Sequence, residues 1–394
     1  MELPLEGMVV LDFSRLLPGP YATMLLADLG ARVILVEECE AGDAMRQMPP
    51  MDPELGVSAK YRLLNRRKER IALNLKTEGG RAAARCLARR ADVLVEGFRP
   101  GVMARLGLAY EALSAENPGL IYCSISGFGQ TGPYRHRAGH DLNYMAVAGA
   151  LSLSGGLDRP PDPPGVQVAD LGGGALMAVT SILAALMQRQ RTGRGQHLDV
   201  AMVDGVMSWL SIHAADALAL GRGQRPGERY LGGDFACYRV YETLDGRYLS
   251  IGAVEPHFWR NLCDAVGLPE WKDAQYAPDP VRTQVIAAFE TVFRARTLDE
   301  WSTRLSAVDT CWAPVLDVHE ALTGEHARAR GMVRDDGEGP YLRFPVPLAG
   351  MEGTPEVQPS AERWRIGADT ERVLCEAGYS AEEIAKMRAS GAIA

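Results

Sequence analysis

The sequence lacks any paired arrangement of cysteines. Its seven cysteines are scattered over 394 residues, are odd in number and include no C-x-x-C pair. This pattern argues against a disulfide framework or a zinc site built on such pairs, and it is typical of reduced thiols in the cytoplasm. We therefore expect a cytoplasmic protein.

Long apolar runs and an excess of positive charge are also missing. No run of 18 apolar residues occurs, and the N-terminal text MELPLEGMVVLDFS carries acidic residues early, unlike a secretory signal. The formal net charge is -8, which disfavours non-specific binding to nucleic acid or anionic membranes. We expect neither as a partner, and an anionic ligand would need a local basic cluster.

The common nucleotide and hydrolase motifs are absent where they would be informative. No G-x-G-x-x-G follows the first predicted strand, and no G-x-x-x-x-G-K-[ST], H-E-x-x-H or G-x-S-x-G occurs. The glycine-rich text GFGQTG at 127–132 lacks a lysine. These absences argue against a dinucleotide-dependent dehydrogenase, and we expect no metal ion.

β-rich runs alternate with helical patterns through the first half of the chain. Runs such as MVVLDFS, ARVILVEE and DVLVEGF are separated by amphipathic segments. This alternation predicts an α/β fold with a parallel sheet in a large Rossmann-like domain. After a linker-like stretch at 221–233, two β-rich runs joined by Asp245-Gly246 predict a hairpin, and helical patterns follow. The second half thus predicts a small α+β domain.

Three titratable residues stand at predicted helix starts. His140 lies in AGHDLNY, Asp170 precedes three glycines at the start of a long helix, and Glu255 begins the helix of EPHFW. All are candidates for proton transfer. Each also has a structural alternative, because polar residues cap helices and acidic residues favour the first turn. The glycines favour close approach of a ligand to backbone N–H groups that suit an oxyanion.

Basic residues are concentrated in two stretches of the predicted large domain. The text NRRKER at 65–70 contains Arg66, Arg67 and Lys68, and Arg99 and Arg105 follow the run DVLVEGF. Charge runs of this kind usually form a solvated surface. On the ligand-binding side of an α/β sheet they would instead bind the phosphates of a nucleotide-containing ligand.

Several stretches together resemble the family III CoA-transferases, which include the 2-methylacyl-CoA racemases. The resemblance covers nearly the whole chain and rests on VVLDFSRLLPGPYATMLLADLGARVILVE, LNRRKERIALNLK, DVLVEGFRPGVMARLGL, LIYCSISGFGQTGPY, AGHDLNY, ADLGGG, RTGRGQHLDVAMVDG and LDGRYLSIGAVEPHF. It implies an interlocked homodimer whose active sites lie between the large domain of one copy and the small domain of the other. The implied boundaries are a large domain at 1–202, a linker at 203–237, a small domain at 238–317, a return linker at 318–343 and a C-terminal part of the large domain at 344–394.

The resemblance also implies the chemistry. In the transferases the Asp matching Asp170 is a nucleophile. In the racemases it is one acid/base, the His matching His140 is the other, and the Glu matching Glu255 supports the His. Because all three residues are present, the resemblance favours an enzyme that inverts the α-carbon of a 2-methylacyl-CoA, with a CoA-transferase as the alternative. No cofactor beyond the CoA of the acyl-CoA substrate is implied. The residues expected to bind CoA are Arg66, Arg67, Lys68, Arg99, Arg105 and Asp141.

Four positions depart from the racemase pattern. Asp234 and Cys237 stand in GGDFACY where racemases read GGAPxY, and His257 replaces a glutamine. We expect these three to alter the acyl group that is accepted. Leu35 stands where racemases have a basic residue that contacts CoA, so weaker contacts to the adenine end are expected.

Overall fold

The protein is described by a computed structural model that covers residues 2–155, 160–224, 228–350 and 360–394. The strands are β1 Val9–Phe13, β2 Arg32–Glu37, β3 Met51–Asp52, β4 Val57–Ser58, β5 Glu69–Ala72, β6 Val93–Glu96, β7 Ile121–Ser126, β8 His197–Ala201, β9 Tyr238–Glu242, β10 Tyr248–Gly252, β11 Trp312–Pro314, β12 Val333–Asp335 and β13 Pro340–Leu342.

The helices cover much of the remaining chain. The α-helices are α1 Pro18–Asp28, α2 Ala59–Asn65, α3 Glu78–Ala88, α4 Val102–Arg105, α5 Tyr110–Glu116, α6 Asp141–Ala148, α7 Met177–Thr192, α8 Met202–Trp209, α9 Ser211–Leu220, α10 Pro256–Val266, α11 Val281–Phe293, α12 Leu298–Leu305, α13 Val318–Thr323, α14 Glu325–Ala329, α15 Thr370–Glu376 and α16 Ala381–Ala389. Short 3-10 helices span Ala44–Gln47, Ala150–Leu153, Pro269–Trp271 and Ala361–Trp364. A π-helical segment, Ala169–Leu176, leads directly into α7.

The chain forms two compact units. The first comprises Met1–Gly149, Pro164–Trp209 and Arg330–Ala394, and the second comprises Ala150–Pro163 and Leu210–Ala329. The stretches expected as linkers carry regular structure: 203–237 includes α9 and most of α8, and 318–343 includes α13, α14, β12 and β13. These short elements were not predicted, because both stretches are rich in glycine and charged residues, which are typical of linkers.

A six-stranded sheet organises the first unit. Its spatial order is β5-β2-β1-β6-β7-β8, and all neighbouring strands are parallel. Numbered within this sheet alone, the order is 3-2-1-4-5-6, the order of the Rossmann fold, and it reverses between β1 and β6. The predicted parallel α/β sheet is therefore confirmed.

The end of the chain completes the core of the first unit. Strands β6 and β7 are buried along their whole length, as expected for a parallel sheet covered on both faces. The C-terminal side chains of Val373, Leu374, Ile384 and Ile393 belong to the same buried cluster. Residue Ile393 also forms a β-bridge with Leu73. Residues at both ends of the sequence thus stabilise one sheet.

A charged pair lies inside this core. The side chains of Asp12 and Lys68 are both 0% exposed, and Lys68 Nζ lies 3.3 Å from Asp12 Oδ2. The ammonium also donates to Thr23 Oγ1 at 2.8 Å, Asn65 Oδ1 at 2.9 Å and the carbonyl of Pro20 at 3.0 Å. Burial lowers the pKa of Lys68 to about 8, against the opposing effect of Asp12. Either charge without the other would be costly in this environment.

The second unit is built on the antiparallel sheet β11-β10-β9. The turn between β9 and β10 contains Asp245 and Gly246, whose positive φ of 72° favours glycine, so the predicted hairpin is confirmed. Helices α10, α11 and α12 supply Trp259, Phe289 and Trp301, each 0% exposed, to its core.

One helix among the described residues passes a length-and-composition test for a membrane span. The continuous helix Ala169–Thr192 has the required length and apolar character. However, 50% of its most apolar window is buried within the chain, and core helices of water-soluble proteins pass the same test.

Candidate active site

A cavity of about 550 Å³ opens at the carboxyl ends of β1, β6 and β7 in the first unit. Residues within 14–19, 97–100, 125–128 and 135–144 line it, together with Asp170 and Met202. Because the strand order reverses between β1 and β6, this is the crevice in which open parallel sheets bind ligands.

His140 lines this cavity from the position immediately before α6. Its backbone N–H donates to Asn143 Oδ1 at 3.0 Å, which fixes the start of the helix. The preceding loop is held by Tyr144, whose hydroxyl donates to the carbonyl of Gly139. A Cβ at Gly127 would meet the Tyr144 ring at 2.3 Å, so the glycine permits this packing. The position of His140 therefore follows from a rigid loop and helix start.

Asp170 lines the same cavity from the first turn of the π-helical segment. Its backbone N–H donates to Asp141 Oδ1 at 2.9 Å. Burial, together with the nearby Asp141 carboxylate, raises the pKa of Asp170 to about 6, and His140 acts in the opposite direction. The structure thus brings His140 and Asp170 into one cavity and gives Asp170 an acidity suited to proton exchange near neutral pH.

The three glycines after Asp170 serve packing within the chain. A Cβ at Gly172 would overlap the ring of Trp209, and a Cβ at Gly173 would lie 2.5 Å from the carbonyl oxygen of Met202. Conversely, a Cβ at Gly205 would lie 2.2 Å from the carbonyl oxygen of Gly173. The close approach that the structure shows at Gly172 and Gly173 is that of α8. The N–H groups of Asp170 and Leu171 also have acceptors within the chain.

Four arginines line the cavity wall. Arg99, predicted from the sequence, is joined by Arg15, Arg135 and Arg137. The other three were not predicted, because each lies apart from the basic run NRRKER. Their positions in the sequence could have indicated them: Arg15 is the second residue after β1, and Arg135 and Arg137 lie in the loop before His140.

Arg66 and Lys68, which are predicted to contact phosphates, line neither this cavity nor the smaller one beside it. Arg66 is 2% exposed, and its guanidinium lies 2.5 Å from a carboxylate oxygen of Asp28 and stacks on the ring of Tyr341. Lys68 is fully buried in the pair with Asp12 described above. Both charges are thus engaged inside the protein. Arg67 is exposed but lines neither this cavity nor the smaller one beside it.

The smaller cavity, of about 170 Å³, shares Arg15 and Phe98 with the larger one. It lies beyond the ends of β2 and β5 and is also lined by Glu37 and the stretch 73–76. Arg105 is exposed, and its chain neighbour Leu106 lines this cavity. The two cavities therefore form neighbouring compartments along one edge of the sheet.

Glu255 lies in the second unit, where it precedes α10 and is exposed. Burial raises the pKa of Cys311, and the nearby charge of Glu255 raises it further. The structure places Glu255 in a different unit from His140 and Asp170.

Three of the residues that depart from the racemase pattern are buried. Asp234 is 3% exposed and forms an ion pair with Arg229 at 2.8 Å, and Cys237 is 0% exposed. Leu35 is 2% exposed within β2, so its side chain belongs to the core. Among the described ranges, no group of three or more His, Cys, Asp or Glu side chains is arranged to hold a metal ion.

Comparison with known proteins gives consistent matches along the chain. The sequence profile of CoA-transferase family III matches residues 5–370. Alpha-methylacyl-CoA racemase of Mus musculus is 38% identical over 385 residues, covering 97% of this chain and 96% of the mouse protein. Acetyl-CoA:oxalate CoA-transferase of Acetobacter aceti is 36% identical, covering 91% and 92%. The crystal structure of a CAIB/BAIF family protein from Brucella suis has a TM-score of 0.83 and 33% identity, covering 96% of this chain and 100% of that one. A cavity at the switch point of a Rossmann-type sheet and these full-length matches agree: the chain belongs to CoA-transferase family III.

Proposed function

We propose that the protein is a racemase that inverts the α-carbon of a 2-methylacyl-CoA thioester. The observation that carries this proposal is that His140 and Asp170, two groups able to accept and donate protons, line one cavity. Inversion at a carbon requires one base on each face of a planar intermediate, and these residues come from separate helix starts. The similarity to the mouse racemase supports the same reaction.

The proposed reaction needs only proton transfers. Ionised Asp170 removes the α-proton from one face, and the electron pair moves onto the thioester oxygen as an enolate. Protonated His140 then delivers a proton to the opposite face, and the reverse reaction exchanges the two roles. The first N–H groups of α6, those of Asp141 and Leu142, have no acceptor within their helix and suit the enolate oxygen. Since the pKa of Asp170 is about 6, both of its forms are available near neutral pH.

The test is interconversion of the two epimers of a 2-methylacyl-CoA, followed by chiral separation, with no carboxylic acid acceptor present. Formation of either epimer from the other supports the proposal. Turnover that appears only after an acceptor acid is added would favour the second candidate.

That second candidate is a CoA-transferase in which Asp170 is the nucleophile. It is favoured by the identity of 36% to the transferase of Acetobacter aceti, which is close to the value for the racemase. The two mechanisms make different demands on Asp170. A transferase passes through a covalent adduct on the carboxylate and follows ping-pong kinetics, whereas a racemase forms no adduct.

CoA binding is proposed for the arginine-lined wall and the smaller cavity. Arg99→Ala is expected to raise the Kd for CoA about 10- to 100-fold, because a hydrogen bond to a charged group contributes about 1.5–3 kcal/mol. Arg105→Ala is expected to weaken binding as well, from the rim of the smaller cavity. Calorimetry with free CoA measures both, and Arg388→Ala on α16 is the control. A Kd for the Arg99 variant equal to that of the control would remove Arg99 from the site.

A homodimer is proposed to complete the site, with Glu255 of the partner subunit supporting His140. The proposal is based on the observation that Glu255 belongs to a different unit from His140 and Asp170. If so, co-expressing Glu255→Ala and His140→Ala chains is expected to restore activity in hybrid dimers, because one of the two sites then carries neither substitution. Each variant alone should stay inactive. Activity of the mixture equal to the sum of the separate variants would contradict a shared site.

The remaining proposals rest on the sequence and on the family resemblance. We propose a cytoplasmic enzyme with no metal and no cofactor other than the CoA of its substrate, and with neither nucleic acid nor membrane as a partner. The net charge of -8 supports the absence of nucleic acid and membrane as partners, because an acidic chain repels polyanions and anionic lipids. The basic side chains that line the cavity are a local exception.

A further inference from the structure

Asp141 connects the two proposed proton-transfer residues. In the chain it directly follows His140 and begins α6. In space its Oδ1 accepts the backbone N–H of Asp170 at 2.9 Å. One half-buried carboxylate thus joins the helix start that carries His140 to the helix start that carries Asp170.

This contact occurs where the backbone of Asp170 needs a partner. The first N–H groups of a helix have no acceptor inside the helix. Asp141 satisfies one of them by a hydrogen bond between two segments that are 29 residues apart in sequence. The same π-helical segment packs on α8 through the close approach of Gly173 and Gly205. The π-helical segment is therefore held at Gly173 by α8 and at Asp170 by Asp141.

We propose that Asp141 is a positioning residue that holds Asp170 at a fixed separation from His140 by binding its backbone amide. This inference rests on the proposed function, in which both residues act on one α-carbon. A second effect of the same carboxylate is electrostatic. Its charge adds to burial in raising the pKa of Asp170, while His140 lowers it, and Tyr144 is the other titratable side chain of α6 that interacts with Asp170.

Two variants of Asp141 separate these effects. Asp141→Asn keeps an oxygen that accepts the Asp170 amide but removes the charge. Asp141→Ala removes both. The Asn variant should therefore change the acidity of Asp170 with little change in position, and the Ala variant should change both.

The decisive experiment records the titration of Asp170 by NMR of protein labelled with 13C at aspartate carboxyl carbons, with the signal assigned by its absence in Asp170→Asn. This measurement is independent of the reaction. The titration midpoint is expected near pH 6 in the wild type and at lower pH in Asp141→Asn. Asp273→Asn, at an ion pair in the second unit, is the control and should leave the midpoint unchanged.

Kinetics then test positioning. Asp141→Ala is expected to lower kcat for the enzyme's reaction about 10- to 100-fold with a KM for acyl-CoA close to that of the wild type, because misplacing a reacting group by about 1 Å costs up to about 10²-fold. Asp141→Asn should retain most of kcat at its own pH optimum. The inference is overturned if the titration midpoint of Asp170 is the same in Asp141→Asn and in Asp273→Asn. It is also overturned if the kcat of Asp141→Ala equals the kcat of Asp273→Asn. A shifted midpoint in a protein without racemase activity would instead refute the proposed function and leave the contact to Asp170 in place.

Discussion

Replacing His140 with alanine is expected to abolish epimerisation while leaving slow exchange of the α-proton on one face of the substrate. The reason is that Asp170 can still remove a proton and return it on its own side. General acid–base groups typically contribute about 10²–10⁴-fold, so the loss in kcat for epimerisation should be at least of this order. Asp170→Asn should give the mirror image, with exchange only on the face served by His140.

The measurement follows each epimer separately in deuterated water and scores both α-deuterium and configuration. Glu382→Gln, on the exposed surface of α16, is a suitable control and should behave as the wild type. A His140→Ala enzyme that still interconverts epimers at the wild-type rate would exclude His140 from the chemistry.

Replacing Lys68 with methionine is expected to destabilise the protein by about 3–5 kcal/mol, because it leaves the carboxylate of Asp12 buried without its cation. Asp12 is 0% exposed, and its remaining partners include the hydroxyls of Ser14 and Thr23. The change in the free energy of unfolding can be measured by urea denaturation. Adding Asp12→Asn to the Lys68 variant should recover part of the loss, since the uncompensated charge is then absent.

The matched surface substitution is Lys386→Met, which removes an exposed ion pair to Glu382 in which both side chains are more than 70% exposed. Such pairs contribute little, so this variant should unfold close to the wild-type urea concentration. A Lys68 variant as stable as the Lys386 variant would show that the buried pair is not required for folding.

The basic run NRRKER contains charged side chains that are buried, although charges in a row predict an exposed surface. Charges in a row usually face solvent, and nothing nearby in the sequence indicates otherwise. Their charged and aromatic partners are remote in sequence: Asp28 and Tyr341 for Arg66, and Asp12 for Lys68. Burial of these charges depends on tertiary contacts that local patterns do not encode.

Other features were predictable because their causes are local. The alternation of β-rich and helical runs predicts the parallel sheet, and Asp245-Gly246 predicts the hairpin, since turn chemistry involves adjacent residues. The packing role of the glycines after Asp170 could not be predicted, because the helix that packs on them lies about 30 residues further along the chain. The contact from Asp141 to the Asp170 amide spans a similar distance and could be found only in the structure.

The central claim is that Asp170 and His140 exchange protons with the α-carbon of an acyl-CoA, and α-proton exchange by the unmodified enzyme tests it most directly. A panel of 2-methylacyl-CoA thioesters is incubated in deuterated water without any acceptor acid, and the thioesters and the protein are then examined by mass spectrometry. The account predicts α-deuterium in both epimers of at least one thioester and an unmodified Asp170. No deuterium in any thioester, together with an acylated or CoA-linked Asp170, would contradict it and establish the transferase.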